Sequence, residues 1–144
     1  MTRTGPIFRY GSGGNIARAE FCNRHAASLM LRIHADGSTN TSLRGFQTLY
    51  PTLHKGWTDD IYPRSLRAAR LVQTAAVRAT GAMNLGLVPR SDLTGFNWAN
   101  VPAILVECGY LSNPRERRLL QSSGYEWKIA RGLTAGVSAF LSAR

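Results

Sequence analysis

Two stretches of this chain each place a reactive side chain at the end of an apolar run. Leu29 to His34, LMLRIH, ends in an imidazole and stops at the turn-forming cluster Ala35-Asp36-Gly37-Ser38. Val101 to Glu116, VPAILVECGYLSNPRE, runs through Ala103, Ile104, Leu105 and Val106 before it reaches a carboxylate, Glu107. A short continuous apolar run of this kind reads as a strand buried on both faces. Glu107 is therefore expected at the carboxyl end of a strand, in the turn before a helix, where open α/β sheets bind ligands. If the two strands run parallel in one sheet, His34 and Glu107 share that edge. A neutral imidazole is a common zinc ligand, and a carboxylate beside an activated water is a common general base. Burial would raise the pKa of Glu107. The bland readings are a structural histidine at a strand end and a carboxylate that merely tolerates its position at some cost.

The elements that must position these groups are legible from turn residues and periodicity. Residues 1 to 14 are Gly-rich and irregular. Asn15, or the glycines before it, opens a helix to about Ala27, with Ile16, Ala19, Phe21, Cys22 and Ala26 as apolar positions. Ser38 to Ser42 is polar loop, and Gly45 to Tyr50 alternates like a half-buried strand ended by Pro51. After a surface loop over His54 to Tyr62, Leu66, Ala69, Val72, Ala76 and Thr80 recur at helical spacing from Pro63 to Thr80, closed by Gly81. Leu85 to Val88 reads as a short strand. Arg90 to Asn100 reads as loop, with Phe96 and Trp98 over a pocket rim. Asn113, Pro114 and Glu116 spell a helix start, with Asn as N-cap, Pro in the first position and an acid in the first turn, for a helix to Gln121. A last helix, Tyr125 to Leu141, carries Ala130, Leu133, Val137, Phe140 and Leu141 on one face. Strands alternating with helices give an α/β class, with a mainly parallel open sheet flanked by helices on both faces.

Composition narrows the function classes. The 144 residues make one domain, 44% hydrophobic, without an apolar run approaching the ~20 residues that cross a bilayer. The start MTRTGPIFRYGSGG has no apolar stretch of the secretory kind, as would also hold for a mature or truncated secreted chain. The net charge of +10 rests on sixteen Arg against two Lys. It reflects either an Arg-biased composition or affinity for a polyanion such as a wall polymer or nucleic acid. Only Arg115, Arg117 and Arg118 cluster tightly, and no aromatics interleave with them as a nucleic-acid stacking platform would need. That argues against a nucleic-acid binder. Cys22 and Cys108 make no CxxC or Cys/His pattern. Cys108 beside Glu107 reads as a small buried hydrophobe rather than a nucleophile.

The pair RIHADGS and PAILVECGYLSNPRE resembles the zinc-dependent N-acetylmuramoyl-L-alanine amidases of the amidase 3 type. The resemblance runs through nearly the whole chain. Thr2-Arg3 is similar to the end of the family's second strand, and Arg18 with Cys22-Asn23 to its Arg-x-x-x-Ala-Asn helix, with Cys for Ala. Arg32 to Asp36 is similar to its Ser-Ile-His-Ala-Asp/Asn strand end, with Arg where the family has Ser. Gly45-Phe46 matches the following strand, with Gln47 where the family often has Glu. Ser65-Leu66 matches the start of the long helix, and Glu107 to Pro114 its Glu-Cys-Gly-Phe-Leu-Ser-Asn-Pro signature, with Tyr110 for Phe.

The resemblance implies hydrolysis of the amide between the lactyl group of muramic acid and L-alanine in peptidoglycan, as in cell-wall autolysins. It implies Zn2+ as cofactor, His34 as a zinc ligand and Glu107 as the catalytic glutamate. It also implies a location outside the cytoplasm, in the periplasm or cell wall, and an anionic substrate that the Arg excess would attract. The family's Asp-Pro-Gly-His strand and the ligand Glu of its next helix have no counterpart here. The expectation is therefore an amidase domain incomplete at its N-terminus. His25, His54 and Asp36 are the remaining candidates for ligands, though none has a spacing that argues for ligation. The alternative is a non-catalytic wall-binding or regulatory domain with a degenerate zinc site.

Overall fold

The computed structural model describes residues 12–142. The expected similarity of Thr2-Arg3 to a strand end lies outside them. Nine elements follow in order: α1 (Ser12–Arg24), β1 (Met30–Asp36), β2 (Phe46–Pro51), α2 (Tyr62–Thr80), β3 (Asn84–Arg90), α3 (Thr94–Asn97), β4 (Ala103–Tyr110), α4 (Pro114–Leu120) and α5 (Ser123–Ser142). The strands form one sheet in the order β1-β4-β2-β3. β1 runs parallel to β4, and β2 parallel to β3, while β2 and β4 meet antiparallel. The sheet is thus mostly parallel with one antiparallel junction at its centre.

The alternation along β4 builds two cores. Ile104, Val106 and Cys108 face α2 and α5 in one cluster, with Phe46, Ala69, Val72, Ile129, Leu133 and Phe140. Ala103 and Leu105 face the other way, into a cluster with Ala19 and Cys22 of α1 and Phe96 of α3. All eight residues of β4 are buried, as expected for a strand covered on both faces. Glu107 continues the odd-numbered series and so lies on the α1/α3 side of the sheet.

Helix α2 begins at Tyr62 with Pro63 in its first turn, and it ends where Gly81 adopts a left-handed conformation and donates its N–H to Val77 O. α5 lies against it at very close range. A Cβ built on Gly132 would stand 2.7 Å from Ala76 Cα, and one on Gly136 would stand 2.5 Å from Val72 Cα. A buried polar network ties the same helix to the sheet. Gln73 accepts from Thr48 Oγ1 (2.7 Å) and donates to Phe46 O (2.8 Å) and Asn84 Oδ1 (2.7 Å).

Several expectations are corrected. α1 spans Ser12–Arg24 rather than ending near Ala27, because Ala26 takes a positive φ of 44°. β3 is longer than Leu85 to Val88, and the stretch Arg90 to Asn100 contains the short helix α3. Phe96 is fully buried in the second core, whereas Trp98 borders a surface cleft with Trp57 and Asn100. β4 does not turn after Glu107 but runs on to Tyr110. Its continuation is held by Glu116 of α4, whose carboxylate accepts from Tyr110 N (2.7 Å) and Gly45 N (2.8 Å). Asn113 caps α4 as expected, accepting from the N–H groups of Arg115 and Glu116.

Candidate active site

In the parallel β1–β4 pair the register places His34 directly opposite Glu107. His34 Nδ1 stands 3.8 Å from Glu107 Oε1. On the other side of β4, Gln47 of β2 is the cross-strand partner of Glu107. Glu107 is only 6% exposed, and its Oε2 has no hydrogen-bond partner among the described residues. Burial, reinforced by the negative charge of Asp36, pushes its pKa up to about 7, against the pull of Arg32 and Arg90. The His34 imidazole moves the other way. Burial and then the charges of Arg32 and Arg18 lower its pKa, with Asp36 opposing. Near neutral pH the pair therefore combines a neutral imidazole with a carboxyl group that readily gains or loses a proton.

Arg32 lies two residues before His34, on the same face of β1. Its Nη2 donates to Asn15 Oδ1 of α1 (2.9 Å) and lies 3.5 Å from His34 Nε2. Arg18, one turn along α1, donates to the same Asn15 oxygen at 3.4 Å. This group of Asn15, Arg18 and Arg32 was not expected from the residue pattern. The signals available were that Arg32 and His34 share a strand face and that Arg18 falls in the helix motif similar to the family's.

The other candidates lie elsewhere. His25 is engaged with its own helix, its Nδ1 2.8 Å from Phe21 O and its ring stacked on Phe21. His54 packs edge-on to Trp57 beyond the end of β2. Because β2 is antiparallel to β4, that end lies beside the start of β4, at the opposite edge of the sheet from Glu107. Asp36 follows a register shift, and its carboxylate accepts from Gly37 N (2.7 Å). Cys108 is buried in the first core, where burial raises its thiol to about 12, so it is no nucleophile.

The donor set does not complete a zinc site. A catalytic zinc usually takes three protein ligands and keeps one open position. Among the described residues no group of three or more His, Cys, Asp or Glu side chains is placed to hold a metal ion. His34 is the one imidazole at the site, and a guanidinium, itself a cation, stands against its Nε2.

Residues 1–139 match the family model described as N-acetylmuramoyl-L-alanine amidase. The chain belongs to this family. An N-acetylmuramoyl-L-alanine amidase of Mycobacterium tuberculosis is 34% identical over 129 residues, covering 87% of this chain and 53% of the relative. Ami1, the N-acetylmuramyl-L-alanine amidase of Mycobacterium smegmatis, superposes with a TM-score of 0.78 at 31% identity, over 90% of this chain and 61% of that one. The CwlD amidase of Clostridioides difficile, solved in complex with the GerS lipoprotein, gives a TM-score of 0.84 at 26% identity, over 99% and 75% of the two chains. The chain thus spans about half the length of the M. tuberculosis relative.

Proposed function

We propose that this amidase-family domain hydrolyses the amide bond between the N-acetylmuramoyl lactyl group and L-alanine in peptidoglycan, with Glu107 as general base. The observation that carries the reading is the buried Glu107 carboxyl, with one oxygen unpartnered, facing His34 across a parallel strand pair. A pKa of about 7 suits a group that must take a proton and give it back at neutral pH. In the reaction, water attacks the lactyl carbonyl carbon while Glu107 removes a proton from the water. The C–N bond then breaks, and Glu107 passes that proton to the departing amine. The products are a lactyl carboxylate and a peptide with a free N-terminal L-alanine.

Zn2+ with His34 as one ligand belongs to this proposal through family resemblance. The described donors do not complete its coordination. Zinc supplies polarisation of the carbonyl and of the attacking water where it is bound. The net charge of +10 favours an anionic wall substrate, and that substrate implies a site of action outside the cytoplasm. No described helix is long and apolar enough to cross a membrane.

The incomplete donor set favours a second reading, a wall-binding or regulatory domain without turnover. Incubation with purified muropeptides separates the two. Release of stem peptide by the parent chain and not by Glu107→Gln supports hydrolysis. Retention on sacculi without release supports the second reading.

A further inference from the structure

The site carries more positive charge than its acids balance. Arg18 and Arg32 both donate to the one neutral oxygen of Asn15. All eight acidic residues of the chain fall within the described region, and none lies within ion-pair distance of either guanidinium. Their nearness is unfavourable. Yet the position of Arg32 is built. Asn15 fixes one edge of the guanidinium, and α3 makes room for it at Gly95, where a Cβ would stand 2.9 Å from Arg32 Nη1. A guanidinium offers five N–H donors in a planar fork that matches a carboxylate. The contacts to Asn15 and His34 involve only Nη2.

We infer that Arg32 and Arg18, gathered by Asn15 beside the His34–Glu107 pair, form a subsite for a carboxylate of the stem peptide. The inference rests on the amidase reading and adds to it a substrate requirement, an acidic group close to the scissile bond. N-acetylmuramoyl-L-alanine is the smallest probe that meets it, since its free carboxylate follows the scissile nitrogen by a single α-carbon; in a longer stem that carboxyl is in peptide linkage and the next free carboxylate along the stem takes its place. The family pattern has Ser where this chain has Arg32, whereas Arg18 matches the pattern, so the Arg32 half of the subsite is this chain's own.

The test is calorimetric binding of N-acetylmuramoyl-L-alanine and of its carboxamide to the full chain, in a Glu107→Gln background so that neither is consumed. Charge-assisted hydrogen bonds of this kind correspond to roughly 10- to 100-fold in affinity. The acid is expected to bind tighter than the amide by that factor. The preference should vanish in Arg32→Gln, weaken in Arg18→Gln and in Arg32→Lys, which keeps the charge but loses the planar fork, and persist in the remote control Arg64→Gln. Circular dichroism of each variant confirms folding. Equal affinity of acid and amide for the parent background, or an acid preference undiminished in folded Arg32→Gln, overturns the subsite. Binding of neither ligand overturns the subsite, and release of stem peptide from muropeptides by the parent chain decides separately whether the amidase reading stands.

Discussion

His34 and Glu107 are direct cross-strand neighbours, with Nδ1 of one 3.8 Å from Oε1 of the other, and the second oxygen of Glu107 is buried without a partner. The parallel pairing of β1 with β4 produces this arrangement. Each strand ends its apolar run at the same level, so imidazole and carboxyl emerge at one sheet edge. A carboxyl with an unmet hydrogen-bonding oxygen is costly to keep in a fold. The proposed role of Glu107 as general base would give that cost a purpose.

The first prediction concerns rate. Glu107→Gln keeps the shape and removes the proton acceptor, so the turnover number should fall by about 10²–10⁴-fold. In the parent, kcat/KM should rise with pH through a midpoint near 7 as Glu107 ionises. The limb should disappear from whatever rate remains in the variant. A pH–rate series on a soluble muropeptide measures both, and an unchanged rate in the variant would remove Glu107 from the mechanism.

The second concerns stability and follows from the same burial. The folded pKa of Glu107 is raised from 4.5 to about 7, so the fold favours the protonated form. Below pH ~4.5 the folded and unfolded chains are both protonated, and Glu107→Gln should be nearly neutral. As pH rises through 7 the folded domain must hold a desolvated carboxylate that the unfolded chain hydrates. At pH ~8 the substitution should therefore stabilise the domain, by on the order of 1–3 kcal/mol. Urea unfolding of parent and variant at both pH values checks the sign. A variant less stable than the parent at the higher pH would contradict it.

Much of this site was legible before the structure, for identifiable reasons. The run Ala103 to Val106 is short and uniformly apolar, as a covered strand is, and LMLRIH also reads as a strand, although as the edge strand β1 it leaves Ile33 59% exposed. Two such strands ending in His34 and Glu107 needed only parallel pairing to meet. What lay hidden depended on tertiary contacts. FQTLY alternates identically in a parallel or an antiparallel neighbour, so the antiparallel β2–β4 junction left no trace. Thr94–Asn97 is a single helical turn, too short for periodicity. The turn expected at Glu107 does not form there. Gly109, with a φ of 150°, lets the backbone carry the strand on to Tyr110, pinned by Glu116 from six residues ahead. The gathering of Arg18 and Arg32 on Asn15 exists only once α1 docks against β1.

The third prediction addresses the helix pair that backs the sheet. Gly136→Ala puts a methyl group where Val72 Cα already stands 2.5 Å away, so α2 and α5 must move apart. A loss of about 1–3 kcal/mol is expected. Gly124, in the first turn of the same helix, has open space around it. Gly124→Ala should gain about 0.5–1 kcal/mol from the unfolded-state entropy it removes. Thermal unfolding of the two variants against the parent compares a crowded glycine with a free one. Equal effects would mean that the close approach of α2 and α5 is not as described.

The fourth concerns the clasp that completes β4. Both oxygens of Glu116 accept backbone N–H groups, from Gly45 and Tyr110. Glu116→Ala leaves two buried donors unmet, at about 1–3 kcal/mol each. Hydrogen exchange should show the amides of Tyr110 and Gly45 losing protection before those of Leu105 and Val106. Protection unchanged at those two amides would refute the clasp.

The central claim is best tested by mass spectrometry of muropeptides incubated with the purified chain and with Glu107→Gln, each with and without added Zn2+. The account predicts that the parent releases stem peptides beginning with a free L-alanine and leaves a muramic acid carboxylate, while the variant releases at most traces. Absence of such products from the folded parent under both metal conditions, with binding to sacculi retained, would contradict hydrolysis by this domain.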